Sequence, residues 1–178
     1  MEDRPTRKNP RLSGWDYREN GTYFITFCTS GMCRVLADIR RGDLYGRPPV
    51  HLTPLGECTA QALEELFRQE GIRIEHQVIM PNHVHLLLTI ERAATRAAPT
   101  VGAVIGRLKS RTVYLAAERG LHAAGLWQRG YYDHIVRDKA DFLRIWHYID
   151  TNPQKWELDC YYSEHKKEQG LCRRKSPP

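Results

Sequence analysis

The chain is poor in cysteine, and its cysteines are not spaced for a metal or disulfide framework. The five are Cys28, Cys33, Cys58, Cys160 and Cys172. Their number is odd and no Cys-x-x-Cys pair occurs, which argues against a zinc ribbon and a disulfide scaffold and makes reduced thiols the expectation. Long apolar runs are absent as well: nothing approaches the ~20 residues that would span a bilayer. The N-terminus is charged from Glu2 onward and has no apolar core. No secretory signal is expected, and the expected location is the cytoplasm. No internal repeat is present.

What is there is the composition of a soluble globular domain. The 178 residues are 41% apolar and 27% charged, enough to bury a core without staples. Lys plus Arg number 27 against 21 for Asp plus Glu, a net +6. That balance suits a polyanion such as nucleic acid, and it equally suits a plain solvated basic surface. The excess gathers at the ends. Arg4, Arg7, Lys8 and Arg11 stand in the first stretch, and Lys166, Lys167, Arg173, Arg174 and Lys175 in the last. Such ends either gain order on a phosphate backbone or keep the chain in solution. Residues 1–19 read as a basic arm, 20–159 as the folded domain and 160–178 as a polar, loose tail.

Within the domain the periodicities change several times. Asn20-Gly21 marks a turn, and residues 22–29, rich in β-branched and aromatic types, predict a strand. Two short strands are expected around 35–39 and 50–53, joined by a turn-rich connection through Gly42, Gly46 and Pro48-Pro49. Thr53-Pro54 opens a helix, with Pro54 suited to the first helical position. Its apolar face is Leu55, Ala62, Leu63, Leu66 and Phe67, and it ends near Gly71. Residues 72–80 and 83–90 form a hairpin about Pro81-Asn82, and the apolar second arm predicts a central strand. An alanine-rich connection, 92–99, precedes a helix over 101–119. One of its faces carries Val104, Ile105, Leu108, Leu115 and Ala116, and the other Arg107, Lys109 and Arg111. A short strand over 131–136 leads into a third helix from Lys139 to about Asp150, stopped by Asn152-Pro153 because a residue before proline avoids helical geometry. This order predicts an α+β fold with a mainly antiparallel sheet, in the ferredoxin-like split βαβ arrangement.

Two groups of residues carry chemistry. His83 and His85 alternate with Val84 in a strand, so both imidazoles leave the same face. Neutral imidazoles side by side are good ligands for a divalent metal; they are also compatible with an ordinary polar face. On the third helix Phe142, Ile145, Trp146 and Ile149 form the expected buried face. Tyr148 and Asn152 lie one turn apart at its flank. There the tyrosine reaches toward the sheet with its hydroxyl accessible, and Asn152 is able to offer a carbonyl oxygen to the same metal. The plainer alternative makes Tyr148 a boundary packing residue and Asn152 a helix cap. His134 is a residue that lines the same region or serves the fold alone, and His147 points away around the helix.

Four segments in order resemble one family. Pro81-Asn82-His83-Val84-His85-Leu86-Leu87 resembles the His-hydrophobic-His motif of HUH single-strand nucleases. Tyr148-Ile149-Asp150-Thr151-Asn152-Pro153 resembles the Tyr-Ile-x-x-Asn-Pro signature of their single-tyrosine transposase branch. Tyr23-Phe24-Ile25-Thr26 and the stretch from Trp127 to Arg137 look like the same group, and the best match is to REP-associated tyrosine transposases. The resemblance spans about Arg11 to Leu158.

It implies the two histidines on a central strand of a ferredoxin-like sheet. It also implies a reaction: Tyr148 attacks a phosphodiester of single-stranded DNA, giving a 5′-phosphotyrosine and a 3′-hydroxyl. His83, His85 and Asn152 would hold the metal, with magnesium or manganese expected and zinc compatible. Some relatives carry glutamine where Asn152 stands. The implied partner is single-stranded or hairpin DNA of the palindromic-repeat kind, and the implied location is nucleoid-associated. Arg4, Arg7, Lys8, Arg11, Arg107, Lys109 and Arg111 are the expected DNA contacts. The short connection from Arg137 to Lys139 tilts the expectation toward a monomer whose site is completed within one chain.

Two rivals bear comparison. A histidine-triad hydrolase requires a third histidine where Leu87 stands. A non-catalytic ferredoxin-like nucleic-acid binder requires aromatics displayed on open strands, for which Tyr23 and Phe27 are the candidates.

Overall fold

A computed structural model describes residues 21–39, 48–91 and 99–158. The expected N-terminal arm, the connections through 40–47 and 92–98, and the tail from 159 lie outside the described residues. Six strands and three helices follow one another. They are β1 (Gly21–Cys28), β2 (Ala37–Ile39), β3 (Val50–Leu52), α1 (Pro54–Phe67), β4 (Ile72–Ile79), β5 (His83–Ile90), α2 (Val101–Glu118), β6 (Tyr132–Val136) and α3 (Lys139–Thr151).

The main sheet has the order β4-β5-β1-β6 and is antiparallel throughout. With the β2–β3 hairpin set aside as an insertion after β1, the remaining order is strand, helix, two strands, helix, strand. The first and third of those strands lie in the middle of the sheet, which is the split βαβ arrangement. β5 is therefore central, as its unbroken apolar run requires, and every residue of it is buried.

Alternation along the strands divides the sheet into two faces. Tyr23, Ile25 and Phe27 of β1 and Val84, Leu86, Leu88 and Ile90 of β5 face α1 and α2. There they meet Cys58, Leu63, Leu66, Val104, Ile105 and Leu108 in the larger core. Tyr23 and Phe27 are wholly buried, so neither is an aromatic displayed for stacking. The opposite face is covered by α3 through a smaller cluster of Val78, Met80, Leu87, Ile145, Ile149 and Trp156. A bulge between Ile74 and His76 makes this possible, because it re-phases β4 so that Val78 stands opposite His85.

Each helix starts on a side-chain cap. Thr53 accepts from the Gly56 amide, Thr100 from Ala103 and Asp138 from Asp141. The first turn of α1 presses against the chain at Leu36. A Cβ on Gly56 would lie 1.9 Å from the Leu36 carbonyl oxygen, which leaves room only for glycine.

Three expectations need correction. α3 ends at Thr151, next to the expected stop, but the chain does not leave helical geometry there. Asn152 keeps helical angles (φ −58°, ψ −43°), and the chain continues as a 3-10 turn over Asn152–Leu158. The preference of a pre-proline residue for extended geometry yields here to the burial of Asn152 and Trp156. The buried face of α3 is also narrower than its periodicity suggests. Ile145 and Ile149 are buried, but Trp146 is exposed and stacks on the His76 ring at 4.3 Å. Finally, Cys33 is disulfide-bonded, against the expectation of reduced thiols, while Cys28 and Cys58 keep their thiols. Cysteine spacing along the chain says nothing about contacts made in three dimensions.

Candidate active site

The site lies on the α3 side of the sheet, at the end of β5 that follows the Pro81-Asn82 turn. That turn is pinned at several points. Met80 N–H donates to the His83 carbonyl, Leu36 N–H to the Pro81 carbonyl, and Thr29 N–H to the Asn82 carbonyl. His83 and His85 emerge from it on one face, as alternation requires, and are wholly buried. Their Nε2 atoms face each other at 3.0 Å.

Burial is the main reason both imidazoles resist protonation. It brings His85 down to about 3, and it lowers His83 well below the ordinary value with a further push from the neighbouring His85. At neutral pH both rings therefore keep a lone pair, the form that binds metal.

α3 brings the tyrosine and the asparagine to the same point. Tyr148 Oη and Asn152 Nδ2 each lie 3.5 Å from His85 Nε2. Asn152 is buried, while 39% of Tyr148 is open to solvent. Phe24 braces the arrangement, edge-on to Tyr148 at 5.8 Å and tilted against His85 at 5.3 Å. Three polar groups, one from the same strand and two from a helix far away in sequence, thus converge around the His85 Nε2.

The spacing of the two imidazole nitrogens would suit a shared divalent ion, for which imidazole is a borderline donor. Two nitrogens about 2.1 Å from one ion and at right angles stand about 3.0 Å apart, the separation found between the two Nε2 atoms. An amide rotated by 180° about its last bond presents its oxygen where the nitrogen now stands, so Asn152 is able to supply the third donor. Among the described residues no group of three or more His, Cys, Asp or Glu is placed to hold a metal. Any centre here is thus built from two imidazoles and an amide.

Other expected residues fall elsewhere. His134 faces the same side of the sheet but pairs across the strands with Phe24, not with His85's neighbour Thr26. Its Nε2 lies 2.8 Å from Asp141 Oδ2, a link that ties β6 to the start of α3. Burial alone would raise the Asp141 carboxyl, but hydrogen bonds from His134 and Arg144 outweigh it and hold the group low.

Arg107, Lys109 and Arg111 lie on α2, across the sheet from the histidines. Arg107 donates to Gln69, and Arg111 makes a two-pronged pair with Glu65. The Lys109 ammonium is half-buried, donates to the Gln128 and Gly130 carbonyls and sits over the Phe27 ring. Arg4, Arg7, Lys8 and Arg11 lie outside the described residues.

Sequence reasoning missed four contributors. Asn82 and Thr26 hydrogen-bond the two ligand rings on their Nδ1 side. Tyr132, half exposed, continues the cross-strand row His85–Thr26 onto the edge strand. Arg34 lays its guanidinium over Trp156, whose ring is 6.0 Å from that of His83. Only the register, which pairs Thr26 with both His85 and Tyr132, brings these residues into view.

A ferredoxin-like sheet with paired histidines on its central strand and a tyrosine on the covering helix is the layout that the motif resemblance implies. The chain belongs to the IS200-like transposase family, whose model matches residues 47–152 and so takes in both histidines, Tyr148 and Asn152. An uncharacterized protein of Haemophilus influenzae is 32% identical over 179 residues, covering 88% of this chain and 93% of that one. Among solved structures, a REP-associated tyrosine transposase bound to a REP hairpin shares the fold. Its TM-score is 0.56 at 21% identity, over 84% of this chain and 76% of that one. The family recognised in the motifs is thus the family found. No helix among the described residues is long and apolar enough to cross a membrane.

Proposed function

We propose that this transposase nicks and rejoins single-stranded DNA at hairpin sites, with Tyr148 as nucleophile and a divalent cation, magnesium or manganese, held by His83, His85 and Asn152. The observation that carries this reading is the placement of the hydroxyl of a partly exposed Tyr148 3.5 Å from the Nε2 of a buried, neutral histidine. A packing tyrosine has no need to direct its hydroxyl at such a group.

In the reaction the Tyr148 oxygen forms a bond to phosphorus, and the bond to the 3′ oxygen breaks. The phenol gives up its proton, and the departing strand gains one to end as a 3′-hydroxyl. The product is a 5′-phosphotyrosine that keeps the energy of the broken linkage for rejoining. A cation in this site would polarise the phosphate and stabilise charge on the departing oxygen. Phe24 packs edge-on against the tyrosine ring, so less ordering remains for the reaction to accomplish. A phenol, whose ordinary pKa is near 10, is deprotonated more readily than an aliphatic alcohol and is a better leaving group in reverse.

Hairpin DNA as the substrate is supported by the REP hairpin bound to the structural relative. For DNA contact we carry forward the N-terminal Arg4, Arg7, Lys8 and Arg11, together with Arg107 and Arg111; Lys109 is committed to two backbone carbonyls. Because α3 delivers Tyr148 to the histidines of its own chain, we also carry forward a site completed within one chain, in the cytoplasm.

The test is incubation of the protein with single-stranded hairpin DNA and magnesium, followed by a denaturing gel. A covalent protein–DNA band is expected with the native chain and none with Tyr148→Phe, which should still bind the hairpin. A band that persists in the variant would place the nucleophile elsewhere. The lack of any band over hairpins from the source genome would favour the non-catalytic binder.

A further inference from the structure

The hydrogen bonds behind the two histidines are unequal in kind. His83 Nδ1 lies 2.8 Å from Asn82 Oδ1. The orientation of that amide is fixed from its other end, because Asn82 Nδ2 donates to the Met32 carbonyl at 3.3 Å. Met32 itself has φ +57°, directly after Gly31 at +62°. Left-handed backbone at a non-glycine residue is costly, about 1 kcal/mol or more, and persists where the surroundings require it. The turn that holds this strained residue presents its carbonyl to Asn82. Asn82 is wholly buried, and its backbone carbonyl is gripped by the Thr29 amide and hydroxyl. An amide oxygen held so can only accept. The proton of His83 must therefore sit on Nδ1, and its Nε2 must carry a lone pair.

His85 is held differently. Its Nδ1 is 2.8 Å from Thr26 Oγ1, and a hydroxyl both donates and accepts. Without a cation, two lone pairs facing each other at 3.0 Å, a hydrogen-bond distance, would repel. A proton on His85 Nε2, donated to His83 Nε2, resolves this, and the Thr26 hydroxyl then donates to His85 Nδ1. With a cation between the rings, both Nε2 atoms must be lone pairs.

We propose that Asn82 and Thr26 are positioning residues with different tasks: Asn82 locks His83 in the Nδ1–H tautomer, and Thr26 lets His85 change tautomer when a cation enters. This rests on the metal-site reading above. In the change, His85 loses the Nε2 proton to water and takes one on Nδ1, which then donates to Thr26 Oγ1. The ring stays neutral and the proton count of the site is unchanged. His83 is the permanent half of the site and His85 the half that responds.

Tautomers are read directly by nitrogen-15 NMR of the imidazole rings. In the native chain with chelator, His83 is expected as Nδ1–H and His85 as Nε2–H. On titration with magnesium or zinc the His85 proton should move to Nδ1 while His83 stays unchanged. His83 found as Nε2–H, or His83 switching in place of His85, would overturn the proposal.

Asn82→Ala should scramble the His83 tautomers and weaken cation binding 10–100-fold by calorimetry, as loss of such a supporting group does at other metal sites. Asn82→Asp keeps an acceptor at the same place and should recover most of that binding. Equal loss in both, with the His83 tautomer intact, would make Asn82 structural and refute its role. Should Asn82→Ala not fold, Thr26→Val removes only the hydroxyl. It should leave His83 unchanged, trap His85 as Nε2–H and weaken cation binding. If no cation shifts any imidazole resonance of the native chain, the metal reading falls. The tautomers seen with chelator then still support or overturn the assignment to Asn82.

Discussion

Lowering the pH from 7 to 5 should destabilise the fold through His83 and His85. Both rings are buried and lowered, His85 to about 3 against an ordinary 6.5, and His83 in the same direction. In the unfolded chain both titrate near 6.5. Between that value and about 3 the unfolded state binds protons that the folded state refuses, so stability falls as pH falls through this window. The stability is fully present above 6.5. For His85 the slope is about 1.4 kcal/mol per pH unit. From 6.5 to 5 that gives about 2 kcal/mol, a large part of the ~5–15 kcal/mol that holds a typical domain, and His83 acts in the same direction. The assay is urea unfolding at pH 7 and pH 5 with chelator present, for the native chain and His85→Gln. The variant should lose less stability than the native chain between the two pH values, by about 2 kcal/mol. Equal losses in the two would show that the His85 ring is not held neutral by burial.

His83→Ala and His85→Ala should each abolish magnesium-dependent adduct formation, scored on the same denaturing gel; unchanged cleavage in metal would remove the residue from the ligand set. Gly56→Ala should lower stability by about 3 kcal/mol or more, beyond ordinary overpacking, because the added carbon meets the Leu36 backbone and not a side chain that is free to turn. A melting temperature within a degree of the native value would refute that contact. Lys109→Met should lower stability by about 1–3 kcal/mol, since the Gln128 and Gly130 carbonyls lose their donor. The salt dependence of hairpin binding should not change; a slope shallower by about 1 would make Lys109 a phosphate contact after all.

The strands and helices are legible along the chain because each carries its own period. The alternation of His83, Val84 and His85 is enough to put both rings on one face, and the four-residue step from Tyr148 to Asn152 is enough to put those two on one helix edge. Past the end of α3 the chain keeps helical geometry through Asn152, which a local rule for a residue before proline does not allow. The burial of Asn152 and Trp156, which overrides that rule, depends on residues some seventy positions away. Trp146 reads as core by spacing, yet it lies at the rim because α3 covers the sheet with only Ile145 and Ile149 fully buried.

By itself, then, the sequence determined the element order, the central place of β5, and a histidine pair on one face of it. These are consequences of side-chain period and apolar content, which are local. The tertiary structure decided what the site is made of beyond that pair. The register set Thr26 behind His85, the strained turn at Met32 set Asn82 behind His83, and the packing of α3 set the Tyr148 hydroxyl against His85. Those are contacts between distant segments, and no pattern along a single segment encodes them.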